Sequence, residues 1–258
     1  MKNKTYYYQD ELSDEFSGIT RNKINIDQNY KYMHSSWLWN FSAWITYHLL
    51  VLPYDFVYMK LYHHLKIVNR QCFKQCKKQG YYLYANHTNV PSDGFLPALL
   101  TFPKRDYVVV SSENLAIKGT RNIMQMIGAI PVPSFKGMRN FINTMKTRIN
   151  QNYAICIYPE AHIWPYYTKI RNFKSDSFRY PCLCFCPSYC FTVTYQKRKH
   201  STKPKMTVYC DGPFYVNNEL NEVDQREDLR NRIYNTMVER SKNSTYSYNT
   251  YIKKEKEK

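Results

Sequence analysis

The stretch YYLYANHTNVPSDG, residues 81–94, decides how the rest of the chain reads. Tyr81–Ala85 is a short run of strand-forming residues, and the polar residues Asn86–Gly94 after it have the composition of a loop. A strand thus delivers His87 into a loop, and Asp93 follows within a turn or so. A histidine titrates close to neutrality, so it can take a proton there if its tautomer and ring orientation are fixed. A carboxylate bonded to one ring nitrogen fixes both, and it stabilises the imidazolium that forms. The same two residues could instead serve only to build the turn.

Further strands are expected at Tyr107–Ser111, Ala129–Pro133, Tyr153–Tyr158, Pro181–Tyr195 and Met206–Cys210. Helical stretches are expected at Glu113–Ile127, Phe135–Asn150 and Asn221–Arg240, the last with Leu229, Ile233 and Met237 four apart on one face. Alternation of strands and helices predicts an α/β domain, residues 71–241, with a mainly parallel central sheet flanked by helices. Only 7 glycines occur, and neither GxGxxG nor GxxxxGK[ST] is among their spacings. A dinucleotide fingerprint and a P-loop are therefore excluded.

The N-terminal third has a different character. Residues 1–30 are polar and mixed in charge, and read as a tail or a cover; residues 242–258 read as a charged tail. From Met33 to Tyr54 there is no Asp, Glu, Lys or Arg, and Trp37, Trp39 and Trp44 crowd into eight residues. As helix that run would be about 33 Å long, nominally enough to cross a bilayer. Clustered indoles suit the headgroup boundary, while Ser, Asn and His dilute the run and Pro53 is expected to break it. Phe56–Val68 then mixes apolar residues with Lys60 and Lys66, placed to meet lipid phosphates. Residues 31–70 are read as a membrane-interfacial helical hairpin; a true span and an ordinary buried helix are the alternatives.

Of the 258 residues, 37 are Lys or Arg and 20 are Asp or Glu, so 37 − 20 leaves +17. That excess predicts attraction to phosphate in a nucleic acid, a membrane or a small molecule, although AT-rich codon usage also raises Lys, Asn, Ile and Tyr together. The opening MKNKTYYYQDELSDEF lacks the apolar core of a signal peptide, and the 8 cysteines in so long a chain fit a reducing, cytosolic setting. Cys182, Cys184, Cys186 and Cys190 invite a metal reading. With Leu183, Phe185 and Phe191 interleaved and no paired CxxC knuckle, a doubly buried strand is the better account. Cys72 and Cys76 read as free thiols, His162 as a loop residue, and His63 with His64 as lying at the membrane face or against the core.

Four blocks now stand in order: Asn86-His87 with Asp93, Gly128-Ala-Ile-Pro-Val-Pro133, Ile157-Tyr-Pro-Glu-Ala161, and Cys186-Pro187 leading into Phe191-Thr-Val-Thr-Tyr195. Over residues 80–215 they resemble the glycerolipid acyltransferase family, the one containing 1-acylglycerol-3-phosphate acyltransferases. That family carries Asn-His-x₄-Asp, a Gly-rich or basic segment, Phe-Pro-Glu-Gly-Thr, and an apolar strand containing Pro, behind an apolar N-terminal hairpin. Two departures stand out. Five residues separate His87 from Asp93, with Pro91 among them, and Ala161-His162-Ile163 replaces the usual Gly-Thr-Arg.

The resemblance implies a glycerol-3-phosphate acyltransferase-like fold and transfer of a fatty acyl group from acyl-CoA or acyl-ACP to a lysophosphatidate-like hydroxyl. No metal or other cofactor is implied. His87 would be the general base and Asp93 its orienter. Asn86, Glu160, Lys136, Arg139, Lys169 and Arg171 would form the substrate site, Asn86 as a loop-shaping neighbour, Glu160 either binding acceptor hydroxyls or holding a neighbouring cation, and Lys169 or Arg171 standing in for the missing Arg. Lys136 and Arg139 open an expected helix, where amides and cations together favour phosphate, though they could equally be solvated. The expected partners are a phospholipid membrane, the acyl donor and a lysophospholipid, with no nucleic acid. The expected place is the cytoplasmic face of the cell membrane, peripheral or monotopic. Two rivals remain: a non-catalytic membrane-surface protein on the same fold, and a basic nucleic-acid-binding module. Against the second, the cations are spread along the chain and no binding motif is present.

Overall fold

In the computed structural model, which describes residues 3–18, 24–90, 92–116 and 119–254, Tyr81–Ala85 is the central strand of a seven-stranded sheet. In chain order the elements begin with β1 (Thr5–Tyr8), α1 (Trp37–Ile45), α2 (Leu52–Leu61), β2 (Lys66–Val68), β3 (Tyr81–Ala85) and α3 (Ser92–Thr101). Next come β4 (Asp106–Val110), α4 (Arg121–Met126), β5 (Ala129–Pro131), α5 (Met138–Asn150) and β6 (Ala154–Ile157). The series closes with α6 (Arg179–Cys184), β7 (Ser188–Gln196), β8 (Lys205–Phe214), α7 (Glu222–Ser241) and β9 (Thr250–Lys253). The sheet runs β2-β8-β7-β3-β6-β4-β5, parallel throughout except where β8 lies antiparallel to β7.

A parallel sheet is covered on both faces, so its strands must be apolar on both. In β3 the alternation divides accordingly. Tyr81, Leu83 and Ala85 join a core with Met59, Leu96, Phe191 and Val208, while Tyr82 and Tyr84 join a second core with Phe141, Ile155 and Phe178. The second face takes α7 through Leu229, Ile233 and Met237, the three residues its spacing singles out. Each such buried side chain contributes about 1.5–3 kcal/mol. Asn221 starts α7 by accepting the amides of Val223 and Asp224 (3.0 and 3.1 Å).

Several expectations are corrected. Residues 37–61 form one continuous helical run, not a hairpin. Pro53 does not break it: a π-helical turn, Thr46–Val51, lets the Leu52 amide reach back to the Tyr47 carbonyl. That wider turn makes room for the pyrrolidine ring and its missing donor. Residues 66–68, expected to be helical, are the edge strand β2. Cys182 and Cys184 lie in α6, not in a strand, because Pro181 sits in the first turn of a short helix and β7 begins only at Ser188. The last three residues of the loop expected through Gly94 are the first three of α3.

The terminal segments, read as tails, are paired with each other. Thr5–Tyr8 lies parallel to Thr250–Lys253 in a separate two-stranded sheet. Residues farther along the N-terminal segment act as the cover: the Ile26 carbonyl accepts Ser134 N–H at 2.9 Å, and Tyr32 donates to the Pro131 carbonyl. Among the described residues, no helix is long and apolar enough to cross a membrane.

Candidate active site

The loops that follow β3, β4, β5 and β6 all leave the same edge of the sheet, because these strands are parallel. In open α/β sheets this carboxyl edge is where ligands bind. His87 stands there, two residues past β3. Its Nδ1 lies 2.8 Å from Asp93 Oδ2, with the His87 side chain 17 % exposed and that of Asp93 3 % exposed. The longer spacing is absorbed because Asp93 lies in the first turn of α3 and donates its amide to the Asn89 carbonyl at 2.9 Å, closing a helical turn. Pro91, a candidate shaper of this turn, lies outside the described residues.

The carboxylate is held as firmly as the ring it aims. Asp93 Oδ2 also accepts the amides of Thr88 and Asn89, each at 2.8 Å. Thr88 is fixed in turn by the Tyr195 hydroxyl at 2.8 Å. Tyr158 stacks on the imidazole with centroids 4.4 Å apart, and its hydroxyl donates to the Asp93 carbonyl. His87 Nε2 has no hydrogen-bond partner among the described residues, so the ring presents a free nitrogen. Tyr158 was not anticipated as a site residue; its place beside Pro159-Glu160 in the third block was the available signal.

Asn86 is buried. Its side chain both donates to the Val193 carbonyl (3.0 Å) and accepts the Val193 amide (2.8 Å). It extends the β3–β7 pairing by one side chain, and both of its amide groups are engaged with Val193. Glu160 and Arg171 are both fully buried, and Glu160 takes the second of its two alternatives, holding a neighbouring cation. Glu160 Oε2 accepts the His87 amide and the Arg171 guanidinium, both at 3.0 Å, and Oε1 accepts the Arg171 amide at 3.0 Å. The pair is a strut that fixes the His87 backbone, and no charge is left over for an acceptor. Arg171 also donates to the carbonyls of Glu11 and His162, and its guanidinium lies over Trp164, 4.9 Å from the ring centroid.

Lys136, Arg139 and Lys169 are exposed and carry no ion pair among the described residues. Lys169 belongs to the loop after β6, close in sequence to the strut. Lys136 and Arg139 follow β5, on the same edge but three strands from β3, which is about 14 Å at ordinary strand spacing. His63 is buried and hydrogen-bonded to Ser92 Oγ (3.0 Å), on the core side of the two alternatives; burial and the charges of Arg198 and Lys203 push its pKa down to about 4. No group of three or more His, Cys, Asp or Glu among the described residues is arranged to hold a metal.

Comparison with known proteins decides the family. The family model described as Acyltransferase matches residues 64–194, just over half of the chain. The chain belongs to the Acyltransferase family. The matched span of this acyltransferase runs from the turn before β2 into β7 and contains the His87–Asp93 pair and the Glu160–Arg171 strut. Among solved structures, the crystal structure of the 1-acyl-sn-glycerophosphate (LPA) acyltransferase PlsC from Thermotoga maritima matches with a TM-score of 0.53 at 16 % identity. The match covers 81 % of this chain and 95 % of that one, and at that identity it establishes the fold. No curated protein matches the sequence.

Proposed function

We propose that this acyltransferase moves a fatty acyl group from an acyl thioester, acyl-CoA or acyl-ACP, to the hydroxyl of a lysophosphatidate-like acceptor at a membrane surface. The observation that carries the reading is the 2.8 Å contact between His87 Nδ1 and Asp93 Oδ2, which leaves Nε2 free at the carboxyl edge. In the reaction, Nε2 takes the hydroxyl proton as the acceptor oxygen attacks the thioester carbonyl. The tetrahedral intermediate then expels the thiolate, which recovers the proton from Nε2, giving an ester and a free thiol. Asp93 holds the tautomer and offsets the positive charge on the imidazolium.

Lys136, Arg139 and Lys169 are exposed cations at this edge and would meet the acceptor phosphate. The strut and the Asn86 clamp act on the position of His87. The membrane contact is supported by the outer side of the helical run, where Trp37 and Leu61, at opposite ends, are each 70 % exposed and Phe41, Leu50, Tyr54 and Val57 lie open between them. Such a face suits a helix lying in the interface.

The test is a labelled acyl donor offered against a panel of lysophospholipids, with His87→Ala as the control. Loss of the base predicts a fall in turnover of about 10²–10⁴-fold with folding and vesicle binding unchanged. Near-native activity in His87→Ala would remove the mechanism.

A further inference from the structure

At the opposite edge of the sheet, where β3, β4, β5 and β6 begin, lies a groove of about 1360 Å³. It is one strand length from the His87 loop, about 16 Å at the usual rise for the five residues of β3. Arg70, Lys74, Lys77, Lys104, Arg105 and Arg148 line it, and no Asp or Glu does. None of the six forms an ion pair among the described residues. Four are held in place by neutral groups. Arg70 donates to the carbonyls of Leu100 and Phe102, Lys104 to those of Lys77 and Gln79, Arg105 to that of Met126, and Arg148 to the side chain of Gln151. The buried Asp106 beside Arg105 is turned to the Tyr47 hydroxyl at 2.6 Å. Lys74 and Lys77 are exposed and make no side-chain hydrogen bond among the described residues.

Apart from Arg105, which has Asp106 beside it, these clustered cations have no counter-charge among the described residues; they repel one another, and an anion in the groove would relieve that. The volume is far beyond one phosphate, so the ligand must carry several negative charges. Its source is indicated by the groove's wall. That wall is α1, whose Trp39 and Trp44 line the groove while Trp37, Leu38 and Phe41 on the same helix are exposed. The helical run that starts here is about 37 Å long by its 25 residues. It ends beside the catalytic loop, where His63, just past α2, bonds Ser92 at the start of α3. One apolar face therefore borders both edges of the sheet.

We infer that the groove seats the headgroup of an anionic phospholipid carrying more than one negative charge, at a site separate from the acyl acceptor. Headgroup binding there pins the end of the helical run remote from His87. The inference goes beyond acyl transfer and rests on the membrane contact proposed above only for the source of the phosphate.

The test is co-flotation of the full chain with neutral phosphatidylcholine vesicles and with vesicles containing a doubly charged phospholipid such as cardiolipin. Neutral vesicles report the apolar face alone, so a failure of the membrane reading shows there and is distinct from a failure of the groove. Wild type should bind the anionic vesicles more tightly than the neutral ones. At about 1 kcal/mol for each cation near an anionic surface, Lys74→Gln/Lys77→Gln should lose roughly 30-fold of that preference. The pair Lys146→Gln/Lys174→Gln, exposed lysines of which the first projects from the other face of α5, should keep it. Equal losses in both pairs would mean that net charge, not the groove, attracts the membrane. Inorganic tripolyphosphate is the last arm. If it binds as tightly as the vesicles do and needs Lys74 and Lys77, the ligand is a soluble polyanion and the lipid assignment is overturned.

Discussion

Ala161 holds a left-handed backbone conformation, φ +62°, at the position where the acyltransferase pattern has glycine. An L-residue there is strained by roughly 1–2 kcal/mol, while glycine adopts the conformation freely at some entropic cost in the unfolded chain. Ala161→Gly should therefore raise stability by about 0.5–1 kcal/mol, measurable as a higher denaturation midpoint. The departure from pattern is a local strain and not a lost contact, because the Ala161 amide still reaches the Tyr158 carbonyl and Glu160 still pairs with Arg171. The His87–Asp93 pair was legible in the sequence since both residues lie in one short loop. The strut was not. Residues eleven apart can be partners or strangers, and only burial shows that Arg171 faces Glu160 and the Glu11 carbonyl, not a phosphate.

Among the elements, the helical run carries two expectations. Its apolar exterior predicts that Trp37→Ser/Phe41→Ser/Trp44→Ser releases the protein from neutral vesicles while the fold, followed by circular dichroism, is kept. Deleting residues 33–68 would be the cruder experiment, and it would also remove Met59 and β2 from the core and sheet. The inner side of the run holds Asp55, fully buried, with neither carboxylate oxygen hydrogen-bonded among the described residues. Burial, and then the charge of Asp106, push its pKa up to about 7, while burial pushes Asp106 up to about 6. A carboxyl whose folded pKa is raised binds its proton more tightly in the folded state. Its contribution is whole below the unfolded pKa near 4 and is lost as pH rises through the folded value. Wild-type stability should fall by on the order of 2–4 kcal/mol between about pH 4 and pH 7 on account of Asp55. Asp55→Asn should show a shallower decline in chemical denaturation across that range, with Asp106 supplying what remains. The same run shows why the hairpin expectation failed. Proline ends a regular α-helix, but one π turn removes the conflict, and no residue pattern announces a π turn. Helix α7 was legible for the opposite reason, with its three buried residues repeating at a constant interval and a capping Asn ahead of them.

The central sheet of the molecule carries the free imidazole at one edge and a cluster of cations without ion pairs among the described residues at the other. Its class and the order of most strands could be read from alternating periods. The β1–β9 sheet could not, because strands of four residues, Thr-Tyr-Tyr-Tyr and Thr-Tyr-Ile-Lys, are too short to show a period, and nothing local says that they are neighbours. That sheet has a kinetic consequence. Joining Lys4 to Asn249 closes a ring of nearly the entire chain, which costs about 5 kcal/mol of loop entropy if attempted first. The central sheet must therefore assemble beforehand and shorten the gap, so this zipper closes last and opens at the least expense. Amide protons of Tyr6–Tyr8 and Tyr251–Lys253 should exchange with deuterium together and well ahead of those in β3. Because Glu11, six residues past the start of β1, accepts a bond from Arg171, unzipping the ends slackens the tether that runs through Glu160 to the His87 amide.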